Sequence, residues 1–142
     1  MKQRICLGDK VINMKIYEFI QNISNNQYNE LLATLYGGTN KIISEQKERY
    51  IKALESFHSF FPDRNDVKMY SASGRTEIGG NHTDHQHGVV LAGAVNLDVI
   101  AVVSFHSDNI VRVKTEGSEP VETSLDNLSL NSDDSRTPSL IK

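Results

Sequence analysis

The sequence predicts an α+β domain in which N-terminal helices pack on a twisted, mostly antiparallel sheet. Three observations lead there. Apolar residues in the first sixty positions recur at helical spacing, and those from Ala94 onward alternate with period two. Between the two regimes lies a polar, glycine-rich run, Ser73 to Gly88. The 142 residues fit about one domain.

Ile16, Phe19, Ile20 and Ile23 fall at i, i+3, i+4 and i+7, one face of a first helix. Met14 opens that pattern, so residues 1–13 read as an N-terminal extension and 14–142 as the domain. Asn25 or Asn26 is placed to cap a second helix, with Tyr28, Leu31, Leu32 and Leu35 on its inner side and Gly37-Gly38 as a left-handed stop. A third helix is predicted from Ile42 to Phe60. Tyr50, Leu54, Phe57 and Phe61 line one face, Glu45, Lys47, Glu48, Lys52 and Glu55 are mostly solvated, and Pro62 ends it.

Beyond Asp66 the period changes. Val67 to Ala72 reads as a short strand entering the glycine-rich run. Val95, Leu97, Val99, Ala101 and Val103 share one face of the next strand, and Asn96, Asp98, Ile100, Val102 and Ser104 the other. That strand is predicted to be wet at its start and buried on both sides later. Ser107-Asp108-Asn109 is a turn, Ile110 to Thr115 returns as its hairpin partner, and Pro120 to Ser124 adds an edge strand. Glu116 to Pro138 is rich in Ser, Asp, Asn and Glu and reads by composition as disordered, before an apolar restart at Leu140-Ile141-Lys142.

Composition excludes several partners. A net charge of −3 gives no basic footprint for nucleic acid. No segment reaches the roughly 18 consecutive apolar residues of a membrane span, and the N-terminus lacks the apolar core of a secretory signal. Cys6 is the only cysteine, so no internal disulfide forms. A reducing, cytoplasmic setting is the simplest reading.

The chemistry concentrates in the glycine-rich run. His82, His85 and His87 form H-x-x-H-x-H around Asp84, a donor set that suits zinc if a turn brings the three together. The competing reading is a polar loop whose histidines only hydrogen-bond. His58 and His106 fall in a helix and at a strand end, where a structural role is expected. Neither G-x-G-x-x-G nor G-x-x-x-x-G-K-[ST] occurs, and no glycine-rich stretch opens a helix to cradle phosphate. Arg75 offers a fixed fork of donors and Asp84 a carboxylate for hydroxyls, a combination that suits a polyol or sugar. A loop tied by an Arg75–Asp84 ion pair accounts for the same residues.

The run Gly74-Arg75-x4-Gly80-Asn81-His82-Thr83-Asp84 resembles the first signature of galactokinases, within the GHMP family of small-molecule kinases. The spacing matches over all eleven residues from Gly74 to Asp84, and Gly88 and Val89-Val90-Leu91 follow as the pattern requires. The likeness runs from about residue 14 to the end and is strongest over Ser71–Asp98. It implies phosphoryl transfer from ATP, with Mg, to the anomeric hydroxyl of galactose. It places Arg75 near the anomeric centre as the catalytic, charge-stabilising group, and assigns Asn81, His82, Thr83 and Asp84 to the sugar hydroxyls. Asp84 would make the direct carboxylate contact.

Asn81 stands where most galactokinases have glutamate, and an amide donates as well as accepts. Thr76-Glu77-Ile78-Gly79 replaces the usual tetrad and puts Glu77 within reach of Arg75. The family's Gly- and Ser-rich ATP loop and its later acidic residue have no counterpart in the sequence. The reading is therefore a sugar-binding N-terminal fragment truncated before the ATP loop, inactive alone. ATP and Mg belong to the full-length family, and none is expected on this chain. An incomplete sheet predicts association with the missing C-terminal part or self-association. Two alternatives stand beside it: a histidine-based divalent-metal enzyme, and a non-catalytic sugar-binding or regulatory module.

Overall fold

A computed structural model describes residues 14–80, 87–129 and 136–142. It divides between Phe105 and His106 into two compact units. The first contains β1 (Met14–Lys15), α1 (Ile16–Ser24), α2 (Asn29–Tyr36), α3 (Asn40–Phe60), β2 (Asp66–Gly79) and β3 (Leu91–Val103). The second contains β4 (Ile110–Val113), β5 (Val121–Ser124) and α4 (Arg136–Ile141). Helices followed by antiparallel strands bear out the α+β class.

In α1, Ile16 and Ile23 are buried, and Phe19 and Ile20 pack on the core. Neither asparagine caps α2. Asn25 closes α1, its N–H donating to the Gln21 carbonyl at 2.8 Å, and Asn26 adopts φ 65 in the turn that follows. Asparagine tolerates that left-handed geometry, so the turn uses it there and α2 begins after Tyr28 without a side-chain cap. Gly37 stops α2 at φ 102, as predicted. The Thr39 hydroxyl accepts from the Ile42 N–H at 3.4 Å and starts α3 two residues before the predicted boundary.

The helices bury their apolar faces against each other and against one face of the sheet. Tyr28 just before α2, Leu32 from α2, Tyr50 and Leu54 from α3, and Val67 and Met69 from β2 form the centre, with Ile100 and Val102 of β3 packed on it. Leu54 and Val67 are fully enclosed, each contributing about 1.5–3 kcal/mol of burial.

The three-stranded sheet has the order β1-β2-β3, all antiparallel. β2 does not stop at Ala72. It runs on to Gly79, paired with β3 down to Leu91, so the first half of the glycine-rich run is strand. β3 is not buried on both sides. Its Ile100 and Val102 face the helices, whereas Leu97 and Val99 on the other face are 75% and 73% exposed. A single layer of helices covers one face of the sheet, and two-sided apolar alternation does not reveal which.

In the second unit β4 pairs with β5, from Ile110↔Ser124 to Val113↔Val121. Ile110–Thr115 is thus the partner of the segment predicted as an edge strand, not of β3. Arg112 ties this hairpin, donating to Glu122 and to Asp108, each at 2.8 Å. β5 lies within the stretch that composition reads as disordered, and Thr123 on it is buried. Cross-strand pairing and burial supply the order that composition conceals. Leu140 and Ile141, the apolar restart, close α4. The extension, residues 1–13, lies outside the described residues.

Candidate functional site

β2 and β3 pair regularly up to Ser73↔Asp98, then resume at Arg75↔Ala94. One residue of β2, Gly74, therefore faces Val95, Asn96 and Leu97 of β3. The backbones crowd at this bulge. A Cβ on Gly74 would sit 3.0 Å from the Leu97 carbonyl oxygen and 3.2 Å from a Val95 methyl. Bulges bend a strand and re-aim the side chains beyond them. The first side chain beyond this one on β2 is Arg75.

Arg75 is 58% exposed, and its Nη2 donates to Glu77 Oε1 at 3.1 Å, realising the ion pair anticipated from sequence. Exposed pairs of this kind contribute about 0–1 kcal/mol. Its effect is to orient the guanidinium more than to stabilise the fold. A second irregularity between Glu77 and Gly79 ends the ribbon. Gly80 then adopts φ 98, and a Cβ on it would lie 2.5 Å from the Val89 carbonyl oxygen and 2.7 Å from Val90 Cα. The connection after β2 thus leaves and returns through a neck that only glycine fits.

Asn81, His82, Thr83 and Asp84 lie outside the described residues, as does His85. In the sequence they follow Gly80 directly. His87, exposed at φ 62, is the described end of the same connection. His58 lies exposed in the last turn of α3, where a histidine complements the helix dipole. His106 pairs with Asp108 in the second unit. Among the described residues no group of three metal-ligating side chains comes together. The H-x-x-H-x-H reading rests on two histidines outside them.

Sequence reasoning missed a buried polar cluster at the other side of the bulge. The Asp98 side chain is only 4% exposed. Its Oδ1 accepts from Arg49 Nη1 at 2.6 Å, and its Oδ2 from Tyr36 Oη at 2.5 Å and from the Ser71 hydroxyl. Arg49 Nη2 also donates to the Asp98 backbone carbonyl at 2.9 Å, and the hydroxyls of Tyr36 and Tyr50 are 2.8 Å apart. Burial pushes the Asp98 carboxyl up, but the hydrogen bonds from Ser71, Tyr36 and Arg49 outweigh it and hold the group below the ordinary carboxylate value. Burial raises both tyrosines, and the Asp98 contact adds to the shift at Tyr36. One signal was available. Asp98 shares its strand face with Ile100 and Val102, and an acid on a core-facing row demands partners.

The family model that matches is described as the galactokinase galactose-binding signature, and it covers residues 55–105. That span holds Gly74, Arg75, Gly80, the Asn81–Asp84 tetrad and Asp98. A galactokinase of Candida parapsilosis is 34% identical over 83 residues, which cover 56% of this chain and 16% of that protein. No solved structure matches. The chain is galactokinase-like over its signature region, and it spans a small part of the curated relative it matches.

Proposed function

We propose that the chain binds a hexose, galactose or a close relative of it, as the sugar-binding part of a galactokinase-like enzyme. The observation that carries this reading is the spacing Gly74-Arg75-x4-Gly80-Asn81-His82-Thr83-Asp84 inside the matched region. At Gly74 and Gly80, its two framing glycines, a Cβ would crowd the returning backbone, 3.0 Å from the Leu97 carbonyl oxygen at the first and 2.5 Å from the Val89 carbonyl oxygen at the second. Spacing and backbone thus agree at both framing glycines.

In this reading Asp84 accepts from sugar hydroxyls, Thr83 and His82 add hydrogen bonds, and Asn81 both donates and accepts at its hydroxyl. Arg75 exchanges its exposed contact with Glu77 for the reacting end of the sugar. In the complete enzyme the anomeric oxygen attacks the γ-phosphorus of ATP. The bond to the β–γ bridging oxygen would break, ADP would leave, and the hydroxyl proton would pass to a base of the complete enzyme or to solvent. Charge would spread over the transferring phosphoryl oxygens, and the Arg75 guanidinium would stabilise it. ATP and Mg would serve the complete form.

Calorimetric titration of the chain with galactose and a hexose panel tests the site. Arg75→Ala and Asp84→Ala are each expected to weaken binding by about tenfold or more, the scale of a lost charge-assisted contact. Unchanged affinity in both variants overturns the assignment.

A further inference from the structure

We propose that Asp98 is a positioning residue for the sugar site, setting where Arg75 leaves the sheet. The inference rests on the hexose-binding reading above. Asp98 forms the last regular pair before the bulge, opposite Ser73. Four side-chain hydrogen bonds converge on it, three on its carboxylate and one on its backbone carbonyl. Arg49 grips side chain and backbone together, so α3 fixes both the position and the rotation of this residue. Ser71 locks β3 to β2 diagonally across the strand pair. Leu97, the next residue toward the bulge, presents the carbonyl that crowds Gly74. Asp98, Leu97, Gly74 and Arg75 therefore form a short mechanical chain from the helix layer to the guanidinium.

Stability alone does not account for the arrangement. A buried ion pair commonly stabilises no more than well-packed apolar residues of the same volume, whereas a fully satisfied polar network admits one register. A strand that must carry three residues past one without slipping gains most from such a pin. The carboxylate sits at the step where a slip would begin.

The test uses the full chain and two readouts. Asp98→Asn keeps the shape and removes the charge. Ile23→Ala, in the core and outside the hydrogen bonds of the cluster, serves as a control that lowers thermal stability. Galactose affinity is measured by calorimetry well below either unfolding midpoint, and the backbone amide resonances of Gly74 and Arg75 are recorded by NMR. Asp98→Asn is expected to weaken galactose binding about fivefold or more and to move both amides, while Ile23→Ala leaves affinity and amides unchanged. Wild-type affinity in Asp98→Asn overturns the proposal, as does equal weakening in Ile23→Ala. Absence of galactose binding by the wild-type chain overturns the hexose reading instead. The amides then decide the positioning claim alone, supporting it if they move only in Asp98→Asn and overturning it if they do not. Should Asp98→Asn fail to fold, Ser71→Ala and Tyr36→Phe each remove one donor, keep the Arg49 pair, and are read against the same two measurements.

Discussion

Gly79 and Gly80 are neighbours with different constraints. Gly80 lies at φ 98 with the Val89 carbonyl oxygen 2.5 Å from where a Cβ would be, while a Cβ on Gly79 meets nothing within 4 Å. Gly80→Ala should therefore destabilise by about 1–3 kcal/mol through backbone strain and collision at the neck. Gly79→Ala should be neutral or stabilise by up to about 1 kcal/mol, because it restricts the unfolded chain. Chemical denaturation of the two variants checks the contrast, and equal losses would mean that the neck is not closed as described. At this scale the sequence was informative about residue type and less so about cause. The glycines of the signature stand out in the sequence, but the crowding at Gly74 comes from Leu97, 23 positions later, which no local pattern records.

The same limit appears at the scale of elements. Helical spacing placed α1 and α3, because amphipathic periodicity is a local property. It missed the pairing of β4 with β5, because alternation marks a strand without naming its partner. It also treated both faces of the later part of β3 as core. The face assignment is directly testable. Val99 is 73% exposed, whereas Ile100 packs on the helices. Val99→Lys should change stability by no more than about 0.5 kcal/mol, and Ile100→Lys should cost more than about 2 kcal/mol by placing a charge against the core. Thermal melts of the pair decide it, and a comparable loss in Val99→Lys would show that the outer face is covered in solution. The Asp98 cluster joins α2, α3, β2 and β3 over separations of up to 62 residues, beyond the range of any spacing rule. It gives the fold a pH dependence of defined sign. The folded carboxyl lies below its ordinary 3.8, so the stabilisation is fully present above that value and is lost as pH falls through the lower folded value. Acid unfolding followed by circular dichroism should be shallower below pH 3.8 in Asp98→Asn than in the wild type, and parallel curves would remove the carboxylate from the account.

At the scale of the whole molecule, two independent boundaries coincide. The matched signature ends at residue 105, and the first compact unit ends at Phe105. The helices, the bulged ribbon, Arg75 and the Asp98 cluster all belong to that unit, and the Asn81–Asp84 tetrad lies within its stretch of chain. β4, β5 and α4 contribute none of these groups. Their hairpin is held by its own ladder and by Arg112 with Asp108 and Glu122. A chain ending at Phe105 should therefore retain cooperative unfolding and bind galactose within about threefold of the full chain, since a core and its polar cluster that lie in one unit are expected to survive its isolation. Calorimetric titration of that shortened chain is the measurement. A loss of affinity with the fold intact would place part of the sugar contact beyond Phe105 and enlarge the site to include the second unit. Loss of the fold itself would make the second unit a structural requirement of the first.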